Sequence, residues 1–118
     1  MEVSGSSPNS PEQGILATLA EPNRFRIVEF LRNGPQSVGR IAETLQLRQP
    51  QTSKHLKVLL DAGLVGVAAD GNHRRYFLRP EPFRSLDDWL ESFRESLQQR
   101  YDRLDNYLQQ IQQGEKEK

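Results

Sequence analysis

Apolar residues recur along most of this chain in steps of three and four, the period that gathers them on one side of a helix; breaks in the pattern mark where helices stop. Ile15, Leu16 and Leu19 predict a short first helix over Gln13 to Ala20. Pro22 opens a second, running to about Asn33, in which Phe25, Ile27, Val28, Phe30 and Leu31 supply a strong core contribution before Gly34-Pro35 ends it. Ser37 is a good N-cap for a third helix, Val38 to Leu45, with Ile41, Ala42 and Leu45 facing inward. The turn Gln46-Leu47-Arg48-Gln49 leads into a fourth helix with Pro50 in its first turn and Gly63 at the left-handed position just past its end. Helix, short turn, helix, with Leu47 plugged between, is helix-turn-helix spacing.

After Gly63 the pattern changes. Leu64 to Ala69 and Arg74 to Leu78 read as two short strands, joined by the turn Asp70-Gly71-Asn72-His73, in which His73 tolerates a positive φ. Pro80 and Pro82 break the strand and start a last helix, from about Pro82 to Gln113. One stripe runs its whole length through Phe83, Leu86, Leu90, Phe93, Leu97, Tyr101, Leu104, Leu108 and Ile111. Phe83, Leu90, Leu97, Leu104 and Ile111 keep a seven-residue spacing while the partner position slips, which favours an ordinary helix pair over a long regular supercoil. About thirty residues span ~45 Å, more than a domain of this size is wide, so a second subunit is the simplest cover for the far half. Trp89, one step off the stripe, could join that seam.

These elements define a mainly α fold with a small β-hairpin, a winged helix-turn-helix carrying a long C-terminal dimerisation helix. The expected division is a disordered tail over residues 1–12, rich in Ser, Pro and Gly, the winged domain over 13–80, the helix over 81–113, and a frayed tail over 114–118.

Stepping roughly 100° per residue from Leu56 places Gln49, Thr52, Ser53, Leu59 and Leu60 on the buried side of the fourth helix. Gln51, Lys54 and Val58 fall near the opposite side, with His55 and Lys57 on its flanks. Amide, ammonium and imidazole groups so arranged can read base edges and phosphates; the competing account is the solvated face of an ordinary core helix. Charge sharpens the choice. The 118-residue chain is neutral, yet residues 40–79 carry seven basic groups against three acidic, and residues 81–118 six against nine. A basic centre beside an acidic last third fits one part facing phosphate and another facing protein or water. Arg74 and Arg75 beside the hairpin tip would let it lie against the minor groove or backbone as a wing.

Composition removes several chemistries. The chain has no cysteine, hence no disulfide, thiolate metal site or cysteine nucleophile. With no apolar run long enough to span a membrane and no signal-peptide pattern, a soluble cytoplasmic protein of one domain is expected. Catalysis fares badly: His55 and His73 are the only histidines, neither has an implied Ser or Asp partner, and no glycine-rich phosphate loop appears.

Four stretches give the chain a resemblance to a known family: Leu-Ala-Glu-Pro-Asn-Arg-Phe-Arg-Ile-Val-Glu-Phe-Leu at 19–31, Arg-Gln-Pro-Gln-Thr-Ser-Lys-His-Leu-Lys-Val-Leu at 48–59, Ala-Gly-Leu-Val at 62–65 and Arg-Arg-Tyr-Phe-Leu at 74–78. Together with the order of elements they resemble the ArsR/SmtB family of winged-helix transcriptional repressors, over residues 15 to about 108. The resemblance implies a homodimer that binds double-stranded DNA at an inverted-repeat operator until a signal releases it. Base-reading positions would be Gln49, Gln51, Thr52, Lys54 and His55, with Arg48 on phosphate at the helix start, Arg74 and Arg75 on the wing, and Lys57 adding to the cationic cluster. Ser53 packs, by the helical phase above. The dimer would use the first helix, through Ile15, Leu16 and Leu19, and the last, through Leu90, Phe93, Leu97, Tyr101, Leu104 and Leu108.

The chain departs from the metal-sensing members. Where these carry a Cys-x-Cys pair stand Ser37 and Gly39, and residues 82–113 contain no histidine. Asp87 and Asp88 are adjacent and point about 100° apart, so they cannot clamp one ion together. The expectation is a regulator without metal or other cofactor, released by a small apolar molecule, a partner, or its own dilution. The rival reading is a winged helix that binds only protein through its last helix; the clustered cations on the two groove-straddling elements count against it.

Overall fold

The computed structural model describes residues 10–116. Its elements follow in the order α1 (Pro11–Leu19), α2 (Pro22–Leu31), β1 (Gln36–Ser37), α3 (Val38–Leu45), α4 (Gln49–Asp61), β2 (Val65–Asp70), β3 (His73–Leu78) and α5 (Pro80–Lys116). No peptide bond among them is cis. The chain divides into two units, Met1–Leu86 and Asp87–Lys118.

The first three helices start where a side chain relieves an orphan N–H group. α1 begins at Pro11 rather than Gln13, because Ser10 and Gln13 form a capping box in which each side chain accepts from the other's backbone N–H, at 3.2 and 3.0 Å. Pro11 and Glu12 are therefore helical and not part of a disordered tail; residues 1–9 of that expected tail lie outside the described residues. The Glu21 carboxylate caps α2, accepting from the Asn23 N–H at 2.6 Å, and Pro22 follows at the first helical position. Ser37 caps α3 as expected, accepting from Arg40 N–H.

The core gathers Ile15 from α1, Ile27, Val28 and Leu31 from α2, Ile41 from α3, Leu56 and Leu59 from α4, and Leu64 and Val65 at the start of the hairpin. Burying each aliphatic side chain contributes about 1.5–3 kcal/mol. Phe83 and Leu86, in the first turns of α5, also pack against it. Phe25 does not join: with Ile27, Val28 and Leu31 facing inward it falls on the outer side of α2, 51% exposed.

The sheet has three antiparallel strands in the order β1-β3-β2. The hairpin is longer than its sequence pattern indicates, since Asp70 and His73 pair with each other and leave only Gly71 and Asn72 as the loop. Gly71 has φ +65°, the positive value required at the first loop position of a two-residue hairpin turn, so His73 is a strand residue and needs no unusual φ. Ser37 and Gln36 add a short third strand, opposite Arg75 and Tyr76, which ties the start of α3 to the wing. Gly66 sits opposite Phe77, whose ring covers it so closely that a Cβ would lie 2.5 Å from Cζ.

In the second unit the helix continues through Gly114 to Lys116, past the expected fraying point, while Glu117 and Lys118 lie outside the described residues. None of its described side chains is buried. Trp89 stacks on Phe93 with ring centroids 5.9 Å apart, and both remain exposed.

Candidate nucleic-acid interface

The turn between α3 and α4 is held from both sides. Gln46 adopts the left-handed conformation, φ 58°, and the N–H of Leu47 reaches back to the Ala42 carbonyl at 2.9 Å, closing α3 with a Schellman motif. The last carbonyl of α3, on Leu45, accepts from the Arg26 guanidinium of α2 at 2.9 Å. Leu47 is half-buried, as its place between the helices requires. The chain therefore enters α4 in a fixed direction.

α4 opens on Arg48, which offers no side-chain cap, with Pro50 in the first turn and an extended Arg48 backbone, φ −72° and ψ 141°. The first-turn N–H groups stay open at the positive end of the helix dipole, which suits a phosphate oxygen. Arg48, Pro50, Gln51 and Lys54 line a concavity of about 360 Å³ beside this end. A second concavity, of about 550 Å³, is walled by Ser37, Val38 and Gly39 at the start of α3, Gln49 of α4, and Asn72, His73, Arg74 and Tyr76 of the wing. It brings Gln49 and Arg74 to one surface, where the expected set had them on separate elements.

Five expected residues of α4, namely Arg48, Gln49, Gln51, Lys54 and Lys57, are exposed. Lys57 pairs with Asp61 one turn on at 3.5 Å, a surface contact worth at most about 1 kcal/mol. Two others turn inward. Thr52 is wholly buried, and its hydroxyl donates to the Arg48 carbonyl at 2.9 Å, so it cannot reach a base edge. His55 is only 15% exposed, with Nε2 3.0 Å from Oε2 of Glu21. Thr52 lies on the buried side by helical phase alone, which rules out the base-reading role that the resemblance implies for it. For His55 the cause is a shift of phase: the buried arc is centred between Leu56 and Leu59 rather than on Leu56, which draws His55 in and leaves Ser53 exposed instead of packed.

The two wing arginines part company because neighbours on a strand point to opposite faces. Arg74 shares its face with Tyr76 and lines the second concavity. Arg75 lies on the other face and is engaged by Asp70, its Nε donating to Oδ2 at 2.7 Å. Sequence reasoning missed Ser37, Gly39 and Asn72 as walls of the surface; Ser37 comes beside the wing by the pairing of β1 with β3, and a two-residue strand has no periodicity that shows it.

The expected dimer set also divides. Ile15 is 7% exposed and belongs to the core of its own unit, and Leu19 packs against that core; Leu16 is exposed. In the second unit Leu90, Phe93, Tyr101, Leu104 and Leu108 are exposed and Leu97 is half-buried.

A short three-stranded wing beside a helix-turn-helix, with cations and amides on the outer side of the second helix, defines a winged helix-turn-helix DNA-binding protein. A family model described as a helix-turn-helix domain matches residues 19–67. The chain is 40% identical over 88 residues to the HTH-type transcriptional regulator Rv2034 of Mycobacterium tuberculosis, covering 75% of this chain and 81% of that protein. Among solved structures it is similar to the ArsR family transcriptional regulator RHA00566, with a TM-score of 0.65 and 30% identity, over 78% of this chain and 97% of that one. The fold is shared also with the homodimeric winged helix-turn-helix domain of Mb0332 from Mycobacterium bovis, a possible ArsR-family regulator, at a TM-score of 0.59 and 21% identity, over 79% of this chain and 91% of that one. The protein belongs to the ArsR/SmtB family of transcriptional regulators.

Proposed function

We propose that the protein is a homodimeric repressor that reads an inverted-repeat operator through α4, with the wing on the phosphate backbone, and that it does so without a metal ion. The observation that carries this reading is the pair of concavities that use the uncapped start of α4, one lined by Arg48, Gln51 and Lys54 and the other by Gln49 together with Arg74 of the wing. Gln51 and Lys54 point away from the core at the helix end that enters a major groove. The exposed apolar stripe of the second unit supports self-association, because a row of apolar side chains of this length on a lone helix stays in water unless a second chain covers it. The metal-free reading rests on the lack of cysteine and of histidine in α5; among the described residues no group of three or more His, Cys, Asp and Glu could hold an ion.

The test is fluorescence anisotropy with DNA from upstream of the protein's own gene and with random DNA, each at two salt concentrations. The expected result is preference for the upstream sequence and a log K that falls with log salt at about −0.9 per neutralised phosphate. No binding to either DNA at low salt would overturn the proposal and make the exposed stripe of α5 the working surface for a protein partner.

A further inference from the structure

His55 lies on the helix proposed to read DNA, yet its ring faces the body of the domain and meets a carboxylate that has a second task. Oε2 of Glu21 is 3.0 Å from His55 Nε2, while Oε1 accepts from the Asn23 N–H at 2.6 Å and so caps α2. The carboxylate is itself well fixed. Pro22 follows it with a rigid φ, the Glu21 carbonyl accepts from Phe25 N–H at 3.0 Å, and its negative charge sits at the favourable end of the α2 dipole. The remaining support of α4 is apolar, from Leu56 and Leu59, apart from the Thr52 hydroxyl, which bonds within its own helix. Apolar packing resists separation of two helices more strongly than a small rotation of one about its axis. A close polar contact to a fixed group resists that rotation.

The lever is short. Gln51 is one turn before His55, roughly 40° around the helix, so the azimuth of one sets that of the other. With side-chain tips about 6 Å from the axis, a rotation of about 10° moves them ~1 Å, which is enough to lose a directional hydrogen bond to a base edge.

We propose that Glu21 is a positioning residue for α4: one carboxylate oxygen anchors the start of α2, the other holds His55, and together they fix the rotation at which Gln51 and Lys54 meet bases. The inference rests on the DNA-reading proposal above. It predicts that losing the pair lowers discrimination between operator and random DNA, since phosphate contacts from Arg48 and Arg74 tolerate the displacement.

Glu21→Ser separates the two tasks, because serine caps a helix well but is too short to reach His55. The full chain, Glu21→Ser, His55→Gln and the double variant are titrated at one salt concentration with an operator duplex and a random duplex of equal length, and their thermal midpoints are recorded. The expected result is a loss of discrimination of about tenfold in each single variant, with random-DNA affinity within about twofold of the parent and the Glu21→Ser midpoint retained. The double variant should lose no more than the larger single loss, because both substitutions break one contact. Discrimination unchanged in Glu21→Ser, or equal losses on both duplexes, would overturn the proposal. Should Glu21→Ser fold poorly, His55→Gln carries the same comparison, since it leaves the α2 cap in place. A parent protein that shows no preference for operator would instead remove the DNA-reading proposal, an outcome visible before any variant is compared.

Discussion

In Met1–Leu86, Ile27, Ile41, Leu56, Leu59, Leu64 and Val65 are almost completely shielded from solvent, whereas in Asp87–Lys118 the same three-and-four spacing leaves Leu90, Phe93, Leu104, Leu108 and Ile111 exposed. The helices of both units obey one period, but among the described residues the first unit folds several elements together over its apolar side, whereas the second is a single helix. A helical period identifies an apolar face without saying which molecule covers it. In the first unit the face stabilises the fold; in the second it is the proposed seam with another copy.

Side-chain truncation separates the two units most sharply. Leu59→Ala should destabilise the protein by about 2–5 kcal/mol in urea unfolding, because the site is closed on all sides and leaves a cavity. Leu104→Ala, made at a 53% exposed position, should change the same midpoint far less at protein dilutions where chains are apart. Equal effects would mean that Leu104 is covered within its own chain. Next in size, Leu104→Glu should weaken self-association by about a hundredfold or more, since it places an unpaired charge in an apolar seam. Sedimentation velocity showing an unchanged dimer with helicity intact would move the seam elsewhere.

A smaller effect sharpens the contrast within the first unit, between its covered and uncovered sides. Gln51→Ala should cost about 1–3 kcal/mol on operator DNA and leave random DNA nearly untouched. Arg74→Ala should instead weaken both and reduce the salt slope by about 0.9. Anisotropy titrations distinguish these, and an identical loss for Gln51→Ala on both duplexes would remove it from base reading. Smallest of all, Gln46→Gly should raise the unfolding free energy by about 0.5 kcal/mol, as glycine adopts the left-handed turn without the strain that glutamine bears at φ 58°. A midpoint lowered by this change would mean the Gln46 side chain makes a stabilising contact.

Much of the fold was legible because its boundaries are marked by local chemistry. Pro22, Ser37, Pro50 and Gly63 stand where helices start or stop, and the hairpin shows as a change of period. The strand β1 was not legible, since Gln36 and Ser37 become a strand only by pairing with Arg75 and Tyr76. At the candidate site, the phase of α4 was fixed to within about half a residue step, which is enough for Gln51 and Lys54 at the centre of the exposed side. It is not enough for Ser53 and His55 on its rims, where that error decides between core and solvent. Ile15 was misplaced for a related reason: an apolar residue on a short helix can serve its own core or a partner, and only the packing of α1 on α2 decides.

The uncapped beginning of α4 has a consequence for how its first turn behaves over time. Pro50 carries no N–H and Thr52 N–H already bonds to the Arg48 carbonyl at 2.9 Å, which leaves Gln49 and Gln51 as the amides that no side chain covers. Their protons should exchange with solvent quickly in the free protein and slow down when an anion occupies the turn. Hydrogen exchange at these two amides thus gives a residue-level clock for occupancy of the helix start, independent of what the rest of the surface recognises.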